Sequence, residues 1–341
     1  MFLAQLYFHK KGILGIVKQF NRLLPRFLSK YAIYLVLVIM IVVMSIIKPE
    51  NFPTWANFRN ILRQMTTIGI MALGVTFVII TGGTDLSGGS LVALCSVVCA
   101  KLVCLNQNRE YGIPLAAAIL ITILIGSLGG FVNGVLAAYG KVPPFIGTLG
   151  MMWVARGIAN LLSDSRPISG FNDAFNFIGG GLVAWGIIPM PVIVFFLCSV
   201  VAYVLLHWTK FGTYVYAVGS NEVAAHVSGT NVKRVKMFTY IIAGAFAAIA
   251  AIIITSRQQS GQPGMGSGYE MEAITCAIIG GASFSGGIGT IPGTVVGSLI
   301  MGVIANSMTM LQINPNWQMV IKGAIVALAV LFDTHKQRKT K

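Results

Sequence analysis

Charge is what this 341-residue chain has least of. Only 10% of its residues are Asp, Glu, Lys or Arg, against about 25% in an ordinary soluble protein. Acid is scarcer still, with 9 Asp and Glu beside 24 Lys and Arg. A soluble globular domain is excluded on that ground. No G-x-x-x-x-G-K-[ST] phosphate loop occurs: the single Gly-Lys pair, Gly140-Lys141, runs on into Val142, so the chain carries no nucleotide loop of its own. The four His (His9, His207, His226, His335) pair with no nucleophile, which argues against an enzyme. The five Cys (Cys95, Cys99, Cys104, Cys198, Cys276) sit in apolar segments without metal spacing to any His and read as small hydrophobes. No carboxylate or His relay and no Arg ladder appears, which leaves proton coupling and voltage sensing without support.

What the chain has in quantity is apolar sequence, 56% of its residues, with a mean hydropathy of +0.81. Apolar segments run over 31–47, 64–81, 88–105, 113–138, 146–163, 189–208, 237–255, 269–286, 291–310 and 319–333. The expectation is an all-α polytopic membrane protein of about ten transmembrane helices. Several segments are near the minimum of about 17 residues for a crossing, and those beside glycine-rich stretches are candidates for broken or re-entrant helices. A basic interfacial segment, 1–30, precedes the transmembrane domain, 31–333, and a basic tail, 334–341, follows it. The net charge of +15 is no sign of nucleic acid here, because its distribution is what counts. With the N-terminus inside, the inner segments hold 15 Lys and Arg and the outer ones 6, which places both termini in the cytoplasm.

One pattern occurs twice. Gly-Gly-x-x-x-Ser-Gly-Gly reads GGTDLSGG at 82–89 and GGASFSGG at 280–287, each between two apolar segments. The repeat predicts two related halves with Gly-rich helix breaks. Backbone freed from a helix at membrane depth is tolerated only where it is buried in protein or lines a wet cavity. The first copy carries Asp85 and Ser87 where the second carries Ser283 and Ser285. An acid at that depth costs about 3 kcal/mol, so Asp85 and its neighbours are assigned to a translocation path. Glu270 and Glu272, two apart at the start of a span, point about 200° apart on a helix and should have different partners, with Arg257 a candidate for one of them. Glycines spaced four apart (Gly126, Gly130, Gly134 and Gly289, Gly293, Gly297) are expected to face protein.

Two connections are long. The outer loop 164–188 mixes Phe171, Phe175, Phe177 and Trp185 with glycines, as a docking surface, a gate or a short interfacial helix would. The inner loop 209–236 contains GSNEVAAHVSG at 219–229, which reads as a short capped helix: Gly219, Ser220 or Asn221 at the start, Glu222 in the first turn, Ala224 and Ala225 as a small face, Gly229 at the stop. So few helical residues are unstable alone and must pack on something. One reading is a structural connector; the other is a helix that inserts into a motor subunit.

The stretches GGTDLSGGS (82–90), GTLGMMWVARGIA (147–159), AVGSNEVAAHVSG (217–229), GYEMEAITCAIIGGASFSGG (268–287) and WQMVIKGAIVALAVLFD (317–333) together resemble the permease subunits of bacterial ABC importers of the ribose/galactose/arabinose/xylose class. RPISGF (166–171) and the Thr84-Asp85 pair lean toward the galactose/methyl-galactoside branch, while Gly88 and Thr84 stand where the family usually has larger or branched residues. The resemblance implies a permease of the inner membrane that pairs as a homodimer or heterodimer. It also implies a cytoplasmic ATPase that binds ATP and Mg on the permease's behalf, an extracytoplasmic sugar-binding protein, and no cofactor on this chain. Residues 219–229 would then be the coupling helix. From the residues alone, a secondary solute transporter with repeated halves is the alternative.

Overall fold

The computed structural model describes residues 32–104, 113–184 and 186–338. The basic segment 1–30 and Trp185 lie outside the described residues, as does the end of the tail. Seven of the described helices are long and apolar enough to cross a membrane. They are α2 (Trp55–Ile80), α4 (Leu115–Ala138), α5 (Pro144–Ser163), α7 (Met190–Tyr203, continued by a wider turn to Trp208), α10 (Val232–Gln258), α12 (Ile291–Met310) and α13 (Pro315–Arg338). Shorter apolar helices are α1 (Ala32–Ile47) and α3 (Gly88–Val103), and α11 (Tyr269–Ile279) is a short helix with two Glu in its first turn. Every expected span thus has a helix. One departs from its expected length: 269–286 is helical only to Ile279, because Gly281 takes φ +92° and turns the chain out of the helix. Eleven residues rise about 16 Å, half of a hydrocarbon core of about 30 Å. The helix α2 starts nine residues earlier than its apolar run, since Thr54 accepts a bond from Asn57 N and caps it there.

Helices α2 and α10 form the centre. Their most apolar stretches are 83% and 67% buried, against none for α13. Around them stand α3, α11 and α12, and outside those the largely exposed α1, α4, α5, α7 and α13. Close approach is set by small residues. A Cβ at Gly130 of α4 would overlap the Tyr240 carbonyl of α10, one at Gly126 would overlap the Gly244 carbonyl, and Gly134 lies on Met237 in the same way. On α12, Gly293 and Gly297 meet the Gly280 and Cys276 carbonyls of the α11 end. Both expected glycine stripes therefore face protein. Hydrogen bonds add to this: Thr255 Oγ1 donates to Ser96 Oγ (2.7 Å), Asn306 Nδ2 donates to Asn57 Oδ1 (2.8 Å), and the Thr76 and Thr294 hydroxyls share a bond of 2.8 Å. Each such bond in a membrane contributes about 0.6 kcal/mol, so backbone-to-backbone packing at the glycines is the stronger constraint.

The two long connections are structured. In the outer one, β1 (Ile168–Ser169) pairs antiparallel with β4 (Ser260–Gly261), and α6 (Asp173–Gly180) packs on the end of α10. Phe175 of α6 is fully buried and its carbonyl accepts from Ser256 Oγ (2.6 Å), so the helix is docked on the bundle. A hairpin of β2 (Leu182–Val183) and β3 (Ile188–Pro189) closes the segment. In the inner one, α8 (Lys210–Ser220) and α9 (Glu222–Val227) stand between α7 and α10.

Substituting Gly130 by Val should abolish a monodisperse, thermally cooperative protein in detergent. Gly150→Val, where nothing lies within 4 Å of an added Cβ, should leave the melting profile unchanged.

Candidate functional site

The first break, residues 81–87, is closed around its acid. Asp85 is 1% exposed, and its Oδ1 accepts from Ser87 N (2.9 Å) and from Ser87 Oγ (2.7 Å). This is an Asx turn, the local bond that Asp forms two residues on. Ser87 Oγ in turn accepts from Asn133 Nδ2 of α4 (2.8 Å), and Tyr240 Oη of α10 donates to the Thr84 carbonyl (3.2 Å). Asp85 and Ser87 were expected to line a path. In this conformation both are sealed in the protein, because the turn itself consumes the carboxylate.

The second break reproduces the turn with different chemistry. Ser283 Oγ accepts from Ser285 N (3.2 Å), the same two-residue offset as Asp85 to Ser87. The carboxylate comes from elsewhere: Asp333 of α13 accepts from Ser283 Oγ and from Phe284 N, both at 3.1 Å. Sequence reasoning passed over Asp333, whose only signal was an acid at the end of an apolar run.

The breaks meet each other and the inner connection. Gly287 N donates to the Ile80 carbonyl, the last of α2, at 2.8 Å. Gly219 lies so close that a Cβ there would overlap both Ile80 O and Gly287 N, while Gly286 and Gly287 pack on Gly219 and Ser220. Tyr216 Oη of α8 donates to Gly289 O (2.6 Å). Gly219 and Ser220 therefore belong to the end of α8 and not to the short helix. Asn221 is its N-cap, accepting from Ala224 N (2.9 Å), and Gly229, at φ +84°, follows its end.

On α9 the expected outward face is also revised. Ala225 is 5% exposed and packs into the main core, whereas Val223 and Val227 are 73% and 84% exposed, with Ala224 beside them. The reason is helical phase: Ala225 points about 200° from Val223 and from Val227, so burying it turns both valines outward. Glu222 is bonded to Lys236 of α10 (2.6 Å).

The two glutamates lie against different groups, and neither is bonded to Arg257. Glu272 is paired with Lys322 of α13 (2.7 Å), and Glu270 lies against Gly89 at the end of the first glycine pattern. Arg257 Nη1 instead donates to the Arg63 carbonyl of α2 (3.1 Å), since the end of α10 runs alongside that helix. Arg156 of α5 donates to the carbonyls of Pro263 (2.6 Å) and Met265 (2.8 Å), pinning the loop before α11.

A bundle of apolar helices with two braced breaks and a short helix of exposed valines has the makings of a permease. The chain belongs to the family described as the branched-chain amino acid transport system / permease component, whose model matches residues 57–330. It is 39% identical over 319 residues to the ribose import permease protein RbsC of Haemophilus influenzae, covering 92% of this chain and 96% of that one. Its identity to RbsC of Bacillus subtilis is 40% over 311 residues, with 91% and 94% covered. To the galactose/methyl galactoside import permease protein MglC of Escherichia coli it is 39% over 326 residues, with 92% and 97% covered. The equal identities give the lean toward the galactose branch no support. No solved structure matches the chain.

Asp85→Ala removes the acceptor for two buried donors and should lower unfolding stability by about 1–3 kcal/mol. Asp85→Asn keeps an acceptor and should lose less than half as much in the same denaturant titration. Equal losses would show that the charge, and not the turn, is what matters.

Proposed function

We propose that this chain is the membrane-spanning permease subunit of an ATP-binding-cassette importer that carries a monosaccharide, pentose or hexose, into the cytoplasm. It is a transport subunit, multi-pass in the bacterial inner membrane, and not an enzyme. Hydrolysis of ATP belongs to a separate cytoplasmic ATPase that binds the nucleotide and Mg, and an extracytoplasmic sugar-binding protein delivers the substrate. The extended similarity to sugar import permeases supports this reading.

The finer arrangement follows from the same reading. The ten apolar helices make ten passes, with α1, α3 and α11 short and both termini inside. Segments 1–30 and 334–341 flank a single transmembrane domain, 31–333. The halves are related, supported by the repeated pattern and by the repeated two-residue turn at Asp85 and Ser283. The permease pairs with itself or a relative, supported by the bare apolar face of α13, on which Trp317, Val320, Leu328 and Leu331 are exposed.

The observation that carries the mechanism is the junction at Gly219 and Ser220. A force applied to α9 passes through two residues whose backbone touches both glycine breaks, with no flexible side chain between them. The valines on the outer face of α9 supply apolar area for a groove of the ATPase, and Asn221 and the Glu222–Lys236 pair hold the helix in its pose. Movement of α9 therefore shifts the ends of α2 and α11 together, at the depth where Asp85 and Ser87 close one side and Ser283, Ser285 and Asp333 the other.

Proteoliposomes holding the permease, its ATPase and the binding protein should take up labelled ribose or galactose only with internal ATP; uptake driven by an ion gradient alone would favour a secondary transporter. Val227→Asp should weaken ATPase co-purification about 10-fold or more while the permease still inserts and melts normally. Ala225→Arg, by contrast, should destabilise the permease itself.

A further inference from the structure

Thr67 is the thirteenth residue of the 26-residue α2, about 19 Å along a helix of about 39 Å. There, at the fourth residue of the apolar run 64–81, α2 borders a cavity of about 140 Å³ that α11, α12, α13 and the end of α10 also line. Its walls are mixed, with Met65, Ile68 and Met301 beside polar side chains. Lys322 and Glu272 enter from α13 and α11, and their mutual bond occupies one carboxylate oxygen and one of three ammonium donors. Gln64, Tyr269 and Arg257 complete the polar lining.

The decisive detail is at Thr67 itself. A helical Thr ordinarily donates to the carbonyl four residues back, as Thr66 does to Leu62 O (2.8 Å) and Thr76 to Ala72 O (2.7 Å). For Thr67 that carbonyl is Arg63 O, which accepts from Arg257 Nη1 instead. Thr67 is 1% exposed, is among the residues that line the cavity, and its Oγ1 has no hydrogen-bond partner among the described residues. A buried hydroxyl left unpaired is costly, and a polar occupant of the adjoining cavity is the nearest group that could satisfy it.

Building on the importer reading, we infer that this cavity is a contact site for one monosaccharide in transit, with Thr67, Glu272 and Lys322 as partners of its hydroxyls. The chemistry fits a polyol. Sugar hydroxyls donate to the free carboxylate oxygen, accept from the remaining ammonium protons and do either with Thr67. The Tyr269 ring offers a flat wall for the C–H face of a sugar ring. The volume, four to five times the roughly 30 Å³ share of a water, is on the scale of one sugar ring. The Glu272–Lys322 pair is neutral overall and Arg257 is tied to α2, so the occupant need not be charged. The cavity lies where α10 ends and α11 begins, beside the loop 256–268 that the importer reading places outside, the side on which a binding protein delivers sugar.

The test uses the full-length permease reconstituted with its ATPase and binding protein, and compares initial uptake rates of ribose, galactose and their monodeoxy analogues. Taking variant over wild type with one binding protein cancels that protein's own selectivity, and a change in assembly scales all sugars alike. Thr67→Val should cut uptake of the parent sugar about 5-fold while sparing the one analogue that lacks the contacted hydroxyl; Thr67→Ser should restore the wild-type ratio. Glu272→Gln should shift the ratio for a different hydroxyl, which keeps the proposal testable if the Thr67 variant folds poorly. Equal scaling of every sugar by both variants would make the cavity structural and overturn the site while leaving the importer reading intact. Ratios that follow the inorganic anion in the buffer, and not the missing hydroxyl, would assign the cavity to an anion and also overturn it. Absence of ATP-driven sugar uptake in the wild type would instead sink the importer reading, and the site with it.

Discussion

Where a helix breaks inside hydrocarbon, the backbone groups it releases must find partners in protein, and the centre of this molecule is arranged around that requirement. Each break spends a side-chain oxygen on its own backbone two residues on. Asp85 does this for the first, and Ser283, held by Asp333, for the second. The remaining carbonyl at the end of α2 is taken by Gly287 N of the other break. Each turn thus depends on residues far away in the chain, and neither is stable as a local structure.

That mutual dependence explains why small residues dominate the contacts. Gly219 reaches the Ile80 carbonyl and Gly287 N only because it has no Cβ, and Gly293 reaches the Gly280 carbonyl for the same reason. Contacts between backbones do not yield as side chains do, so the junction of α8 with the two breaks is a stiff one. The polar cavity at Thr67 lies on the opposite side of α11 from the second break, and α13 touches both: Lys322 at the cavity and Asp333 at the break. One helix with an exposed apolar face therefore connects the carboxylate that closes a turn with the cation that lines the cavity.

The membrane class, the apolar helices and the two breaks were legible in the sequence because hydropathy and glycine repeats are properties of the chain itself. So was the presence of a short capped helix, since Asn221 and Gly229 are local signals. The partner of each charge was not legible. Arg257 stood nearest to the glutamates in sequence, yet Lys322, some fifty residues on, is bonded to Glu272. Likewise, whether Ala225 or Val223 faces outward is a matter of helical phase against the core, and a six-residue helix carries no hydrophobic stripe long enough to declare it.

The sequence by itself determined that this chain lives in a membrane, breaks two of its helices at glycine and belongs with import permeases, because composition and short motifs act through local free energies that hold wherever the segment lies. Tertiary structure alone decided that Asp85 is sealed, that Asp333 replaces it in the second turn, and that Thr67 is left without its carbonyl. Those facts depend on which distant group arrives first at a given hydrogen-bonding atom, and in a closely packed bundle that is settled by the geometry of all the helices together.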